Sequence, residues 1–182
     1  MKRICVFCGS APGNDPDFVA AASDLGQVLA QRGIEVIYGG GRVGMMGALA
    51  DSALAAGGRV HGVIPRAMVR LELAHDSLTE LHVVETMHER KALMAEMADA
   101  FIAMPGGFGT LDELFEALTW SQLGIHDKPC GLLNTRGYFD SLLDFLDHAV
   151  DQGFIPAGHR SLLFDDSTAT VLVDNIEAMT HW

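Results

Sequence analysis

The sequence predicts an α/β protein: a single Rossmann-like domain over residues 1–182, with a doubly wound, mainly parallel sheet and helices on both faces. Three observations lead there. Short apolar runs of strand length alternate with helical patterns along the whole chain. Glycine-rich turns follow the first, second and fifth of those runs: Gly9-Ser10, Gly39-Gly40-Gly41-Arg42-Val43-Gly44, and Pro105-Gly106-Gly107-Phe108-Gly109-Thr110. A length of 182 residues suits one compact core. Strands joined through helices run parallel, so all three turns open on the carboxyl edge of the sheet, where α/β proteins bind ligands.

Taken in order, Arg3-Ile4-Cys5-Val6-Phe7-Cys8 is the first strand. Asp15-Pro16 then supplies an N-cap and a proline suited to a first helical turn, so a helix runs to about Gln31. Residues 34–38 form the second strand, and the turn after it leads into a helix through Ala56. The third strand, 60–64, is closed by Pro65, and 66–77 reads as a short helix and a loop. Residues 80–84 form a strand, 86–98 a helix and 100–104 the fifth strand. The next helix places Leu111, Leu114, Phe115 and Leu118 at i, i+3, i+4 and i+7, a stripe for the sheet. A sixth strand over 128–133, a helix over 138–152, a short strand over 162–164 and a helix over 167–179 complete the chain.

The third glycine turn is the organising feature. Strand, glycine turn and helix start together present free backbone N–H groups and the positive end of a helix dipole to an anion. The turn lacks the Lys-Ser/Thr ending of a nucleotide-hydrolysing loop and the spacing of a dinucleotide fingerprint. It suits a bound phosphate, not a transferred one. The net charge of −12 disfavours nucleic-acid polymers as partners. No apolar run reaches membrane-spanning length and no signal peptide is read before Lys2. Cys5, Cys8 and Cys130 lie in or beside strands, without metal spacing, and read as buried reduced thiols of a cytoplasmic protein. Neither a metal ligand set nor a cofactor is expected.

Two charged residues stand out. Arg90 lies at the centre of the apolar stripe that Leu93, Met94 and Met97 define and Met87 widens, with Glu89 and Glu96 on the far side. A buried arginine keeps its charge and needs an anionic partner; the plainer alternative is a guanidinium snorkelling to the helix edge or pairing with a structural carboxylate. Glu113 has two readings of equal standing. Thr110-Leu111-Asp112-Glu113 matches a capping box, in which the glutamate folds back on the helix start. Alternatively Glu113 projects away from the sheet, near Ala117 and Trp120, into a cleft beside the phosphate turn. Trp120, Leu123 and Ile125 continue that side as apolar surface, which suits contact with a second subunit.

The run Met87-His88-Glu89-Arg90-Lys91, followed by Pro105-Gly106-Gly107-Phe108-Gly109-Thr110-Leu111-Asp112-Glu113, closely resembles the LOG ("lonely guy") family. Those enzymes are cytokinin riboside 5′-monophosphate phosphoribohydrolases, long labelled lysine decarboxylases. The resemblance extends through Gly9-Ser10, Gly39-Gly40-Gly41 with Gly44, and Thr119-Trp120 with Gln122-Leu123-Gly124-Ile125-His126. It implies hydrolysis of the N-glycosidic bond of a nucleoside 5′-monophosphate, releasing free base and ribose 5-phosphate. It further implies that Arg90 and Glu113 are catalytic, that Gly106, Gly107, Gly109 and Thr110 cradle the phosphate, and that Gly9, Ser10, Gly40, Gly41, Met87 and Lys91 complete the nucleotide site. Self-association as a dimer, through a surface including Trp120 and Leu123, is implied as well.

Two rivals remain. Pyridoxal chemistry needs a Schiff-base lysine, and Lys2, Lys91 and Lys128 are poorly placed for one. A non-catalytic molybdenum-cofactor or nucleotide carrier on the same fold would use the glycine turns, yet has no need of the Arg90 and Glu113 pair.

Overall fold

The computed structural model describes residues 2–69 and 74–180. The strands are β1 (Arg3–Phe7), β2 (Glu35–Tyr38), β3 (Val60–Pro65), β4 (Glu80–Val84), β5 (Ala100–Ala103), β6 (Cys130–Leu133) and β7 (Leu163–Asp166). Between and after them run α1 (Pro16–Gln31), α2 (Gly44–Ala55), α3 (Met87–Met97), α4 (Phe108–Gln122), α5 (Asp140–Asp151), α6 (Ala157–Arg160) and α7 (Ala169–Met179). The strands form one sheet in the order β4-β3-β2-β1-β5-β6-β7, and every neighbouring pair is parallel. The chain starts at the centre with β1, winds outward to β4, and crosses back to β5 on the other side. The strand order therefore reverses between β1 and β5, and the three glycine turns leave the adjacent strands β2, β1 and β5.

Period-two alternation sorts the core into two layers. Ile4 and Val6 of β1 face Leu25 and Leu29 of α1, Leu49 of α2 and Leu172 and Ile176 of α7. Cys5 and Phe7 face Met94 of α3, Leu114 of α4 and Leu146 of α5. The expected cap of α1 is present: the Asp15 carboxylate accepts from the Asp17 amide at 2.9 Å, ahead of Pro16. Helices α1 and α2 meet at Gly26, where a Cβ would stand 2.4 Å from the Leu49 carbonyl oxygen.

The sequence reading misses three details. A 3₁₀ turn, Thr135–Gly137, precedes α5, and two consecutive left-handed residues, Arg136 (φ 57°) and Gly137 (φ 68°), keep it separate from the helix. Helix α6 follows Pro156 and is a single turn, too short for any periodic pattern. Strand β7 extends to Asp166, because its polar end pairs with β6. In the segment read as a short helix and a loop, Arg66–Met68 is a 3₁₀ turn, and residues 70–73 lie outside the described residues.

Candidate active site

Loops leaving β1 and β5 touch. The Gly9 amide donates to the Pro105 carbonyl at 3.1 Å, and a Cβ on Gly9 would stand 3.3 Å from the Gly106 Cα. A Cβ on Gly106 would in turn reach the Thr110 hydroxyl at 2.1 Å, so this glycine is fixed by packing. Gly107 and Gly109 differ: no heavy atom lies within 4 Å of a Cβ built on either. Both line a cavity of about 330 Å³ bounded by Cys8, Gly9, Ser10, Gly39, Arg90, Phe108, Thr110 and Glu113. Packing does not explain the glycines there, and the backbone beside them is open to close approach. The volume lies in the range of small-molecule sites.

Helix α4 starts at Phe108, with Gly107 as its N-cap, and has no side-chain cap. This removes the capping reading of Glu113. Thr110 is already helical and buried, so Glu113 stands in the second turn, beyond reach of the helix start. At a helix start the first N–H groups have no intrahelical acceptor, and Phe108, Gly109 and Thr110, the first residues of α4, all line the cavity.

The face of α4 also differs from expectation. Its buried residues are Thr110, Leu114 and Ala117, while Phe115 is exposed. Small Thr and Ala let the helix approach the sheet, turning Leu111 and Phe115 to one flank and Glu113 and Trp120 to the other. Glu113 thus does not project opposite the sheet. It lies partly buried on the flank toward α3, with Lys91, Ala95 and Phe101 nearby.

Arg90 is 5% exposed, as its position on the α3 stripe predicts. Helix α3 is capped by Thr86, whose hydroxyl accepts from the Glu89 amide at 3.1 Å. The Arg90 Nη2 donates to the Gly39 carbonyl at 3.1 Å, and Nη1 lies 3.8 Å from the Met87 sulfur. A Cβ on Gly39 would stand 2.1 Å from Nη2, so the second glycine turn is shaped around this guanidinium. Arg90 and Glu113 flank the end of β1 closely enough for both to act on Cys5. Burial pushes that thiol well up, the Glu113 charge pushes it further, and Arg90 opposes. Burial and Glu113 likewise raise the Cys8 thiol, and burial pushes Cys130 up to about 12. The three cysteines are free and buried.

Not every residue of the expected set reaches this cavity. Lys91 Nζ pairs with Asp112 at 3.0 Å and Glu116 at 3.1 Å, forming a strut between α3 and α4. Burial works against its charge, but these hydrogen bonds raise its pKa overall. Gly40 (φ 81°) accepts from the His75 amide at 2.9 Å, and the Gly41 carbonyl accepts from the Tyr38 hydroxyl at 3.0 Å. Both shape the second turn without lining the cavity. Gly106 lies on the other side of the β5 turn, in an adjoining cavity of about 280 Å³ with Ser10, Phe18 and Tyr138. Met46, Met68, Phe108 and Asp112 line the main cavity and were missed as site residues; Phe108, 94% exposed, stands at its mouth. A phenylalanine inside a glycine turn was the available signal for it. A larger cavity, about 630 Å³, opens around His126, Asp127 and Lys128 before β6. It lies at the amino edge, away from the switch point, and Lys128 Nζ donates to the Ala95 carbonyl at 2.7 Å.

The family model described as "Possible lysine decarboxylase" matches residues 46–176, which include Arg90 and Glu113. A protein of Oryza sativa subsp. japonica named probable cytokinin riboside 5'-monophosphate phosphoribohydrolase LOGL1 is 53% identical, over 98% of this chain and 80% of its own length. The cytokinin riboside 5'-monophosphate phosphoribohydrolase LOG1 of Arabidopsis thaliana is 49% identical, over 97% of this chain and 83% of its own. The chain belongs to the LOG family. Among solved structures, the molybdenum cofactor carrier of Chlamydomonas reinhardtii superposes with a TM-score of 0.73 at 21% identity, covering 98% of this chain and 96% of its own. The molybdenum cofactor binding protein of Rippkaea orientalis gives 0.74 at 24%, covering 98% of both chains. At that identity the likeness is one of fold alone; LOG membership rests on the sequence relatives.

Proposed function

We propose that this protein hydrolyses the N-glycosidic bond of purine riboside 5′-monophosphates, adenine or cytokinin-type, to free base and ribose 5-phosphate. One observation carries the assignment. A buried arginine and a partly buried glutamate share the wall of a cavity with the open start of α4 and two glycines that no packing explains. The names of the LOG relatives agree with it.

The 5′-phosphate sits against the amides of Gly107, Phe108, Gly109 and Thr110, with Ser10 and Gly9 across the turn. That grip spends binding energy on placing C1′ against Glu113. The C1′–N bond then breaks, its electron pair leaving with the base, while positive charge develops on the ribosyl group. Glu113 faces that charge, as carboxylates do in glycosidases; a water oxygen bonds to C1′ and gives up a proton, and the departing base takes one up. Arg90, held against Gly39, anchors the negative partners of the site by its planar fork; its high pKa makes it a poor proton donor. Met46, Met68, Met87 and Phe108 offer a polarisable apolar surface for a flat base. Lys91 supports the site indirectly, by tying α3 to α4.

Pyridoxal chemistry fits poorly: the three lysine ammonium groups are engaged by Glu177, by Asp112 and Glu116, and by the Ala95 carbonyl. The enzyme self-associates through the α4 end, where Leu123 is 66% exposed and Ile125 beside it is exposed too, with Trp120 at the margin. Three free buried thiols suit a cytoplasmic setting, and among the described residues no helix is long and apolar enough to cross a membrane.

The test is a panel of nucleosides and nucleotides assayed for released base. AMP or a cytokinin riboside monophosphate should be cleaved with kcat/KM at least about a hundredfold above the matching nucleoside, the equivalent of about 3 kcal/mol of phosphate grip. Equal turnover of adenosine and AMP, or no base released from any monophosphate, overturns the assignment. Absorbance scanning and metal analysis of the purified protein separate it from a molybdenum-cofactor carrier.

A further inference from the structure

Away from the candidate active site, the amino edge of the sheet holds a second cluster. In the β3–β4 register His61 lies beside Glu80, and Val63 beside His82. Residues two apart on a strand share a face, so His61, Glu80 and His82 stand together on the side that Val63 and Met94 occupy. One ligand atom from each lies within 4.8 Å of the others. Glu80 Oε2 is 3.6 Å from His61 Nδ1 and 3.5 Å from His82 Nε2. The two rings stack with centroids 6.4 Å apart.

His61 is only 2% exposed, and its Nδ1 and the Nε2 of His82 have no hydrogen-bond partner among the described residues. The other nitrogen of His61, Nε2, lies 3.0 Å from the Glu35 carboxylate. Glu35 is itself held by Arg3 at 3.0 Å and Arg59 at 2.8 Å. With His61 Nε2 turned to Glu35, Nδ1 is the nitrogen that faces the Glu80 oxygen. A cation between this buried imidazole nitrogen and the Glu80 carboxylate would give both a partner.

The two distances to Glu80 suit a metal ion. Around tetrahedral Zn²⁺, with bonds of about 2.0–2.1 Å, neighbouring ligand atoms stand about 3.3–3.4 Å apart; the two separations to Glu80 need to close by only a small fraction of an ångström. An imidazole whose second nitrogen donates to a fixed carboxylate is the outer-shell arrangement that orients zinc-bound histidines. Two imidazoles and one carboxylate favour Zn²⁺ over Mg²⁺ or Ca²⁺, which prefer all-oxygen sites. We propose that His61 Nδ1, Glu80 and His82 Nε2 bind a Zn²⁺ ion, with Glu35 as positioning residue and the fourth position open to solvent beside exposed Glu80. The ion clamps β4, the edge strand, to β3, and β4 leads directly into α3, which carries Arg90. No short spacing in the sequence reveals the cluster, because parallel pairing assembles it.

Untagged protein, stripped with chelator and titrated with Zn²⁺ against a chromophoric competitor, should take up one ion per chain and melt at a higher temperature when loaded. Co²⁺ in its place should give the visible bands of a four-coordinate site. Glu80→Gln and His82→Ala alter partly exposed side chains; each should weaken Zn²⁺ uptake at least tenfold and remove the melting shift, with the circular dichroism of the metal-free protein unchanged. Glu35→Gln should weaken uptake by about 10- to 100-fold at unchanged stoichiometry. Failure to take up Zn²⁺ at micromolar concentration overturns the proposal. So does uptake that is the same in wild type, Glu80→Gln and His82→Ala.

Discussion

The turns after β2 and β5 are both glycine-rich, both precede a helix, and use glycine for opposite reasons. After β2 the space is filled: a Cβ on Gly39 meets the Arg90 guanidinium, one on Gly44 meets the Ser10 carbonyl at 2.2 Å, and one on Gly47 meets the Arg42 carbonyl at 2.2 Å. After β5, Gly107 and Gly109 face open cavity. One turn is a packed support for the arginine, and the other leaves open space beside its backbone, where we propose the phosphate binds. A glycine motif therefore marks a ligand only where the room beside it is unused; elsewhere it marks the architecture that aims a side chain.

If the open turn serves a phosphate, the largest effect in the molecule belongs to the carboxylate across from it. Glu113→Gln keeps size and hydrogen bonding but removes the charge facing the ribosyl cation. Turnover of AMP should fall by roughly two to four decades, about 3–5 kcal/mol of barrier, while the affinity for AMP changes far less. The test is clean because glutamine keeps the size of the side chain, so the melting temperature should move far less than turnover. Wild-type turnover in Glu113→Gln breaks the comparison at its open end.

The closed end should break by unfolding instead. Gly44 has φ 59°, and its Cβ would clash with backbone of the β1 turn. Gly44→Ala combines overpacking with left-handed backbone strain, so a loss of about 3 kcal/mol is expected in denaturant titration. A variant as stable as wild type would mean that this turn, too, has slack, and the distinction between the turns would fail.

That distinction was only partly legible in the sequence. The doubly wound, mainly parallel sheet and the burial of Arg90 could be read because both rest on apolar periodicity: alternating runs for the sheet, and a single helix stripe for the arginine. The neighbours expected for Glu113, Ala117 and Trp120, are found beside it, but its angle to the sheet is not the expected one, because Thr110 and Ala117, not larger apolar residues, face the sheet and hydrophobic patterning gives such small residues little weight. The capping box failed for a related reason, since Gly107 starts the helix earlier than Thr110 suggests. Lys91 was assigned to the nucleotide, yet its partners Asp112 and Glu116 lie on another helix. Met68 belongs to a segment without period, and only the folded chain brings it to the cavity.

Arg90→Lys sharpens the comparison where the two turns meet. Lysine keeps the charge but loses the planar fork, so the hydrogen bond to Gly39 and the geometry over the cavity are not both kept. A loss of about 1.5–3 kcal/mol in kcat/KM for AMP is expected, the usual worth of a hydrogen bond from a charged group. Turnover equal to wild type would mean that Arg90 acts only as a point charge, and that the filled turn after β2 has no aiming role.

The smallest effect is the most discriminating. Gly109 lies in the first turn of α4 with ordinary helical surroundings and nothing within 4 Å of a built Cβ. Alanine there costs no packing and lowers the entropy of the unfolded chain, so Gly109→Ala should hold stability or raise it by up to about 0.5–1 kcal/mol. The added methyl projects into the space assigned to the substrate, so KM for AMP should rise severalfold while the melting temperature holds or rises. Gly44→Ala gives the opposite signature, unfolding first and losing activity only as a consequence. If Gly109→Ala instead melts early with an unchanged KM, the open space beside it is not a ligand's, and the phosphate must be sought in the adjoining cavity around Gly106 and Tyr138.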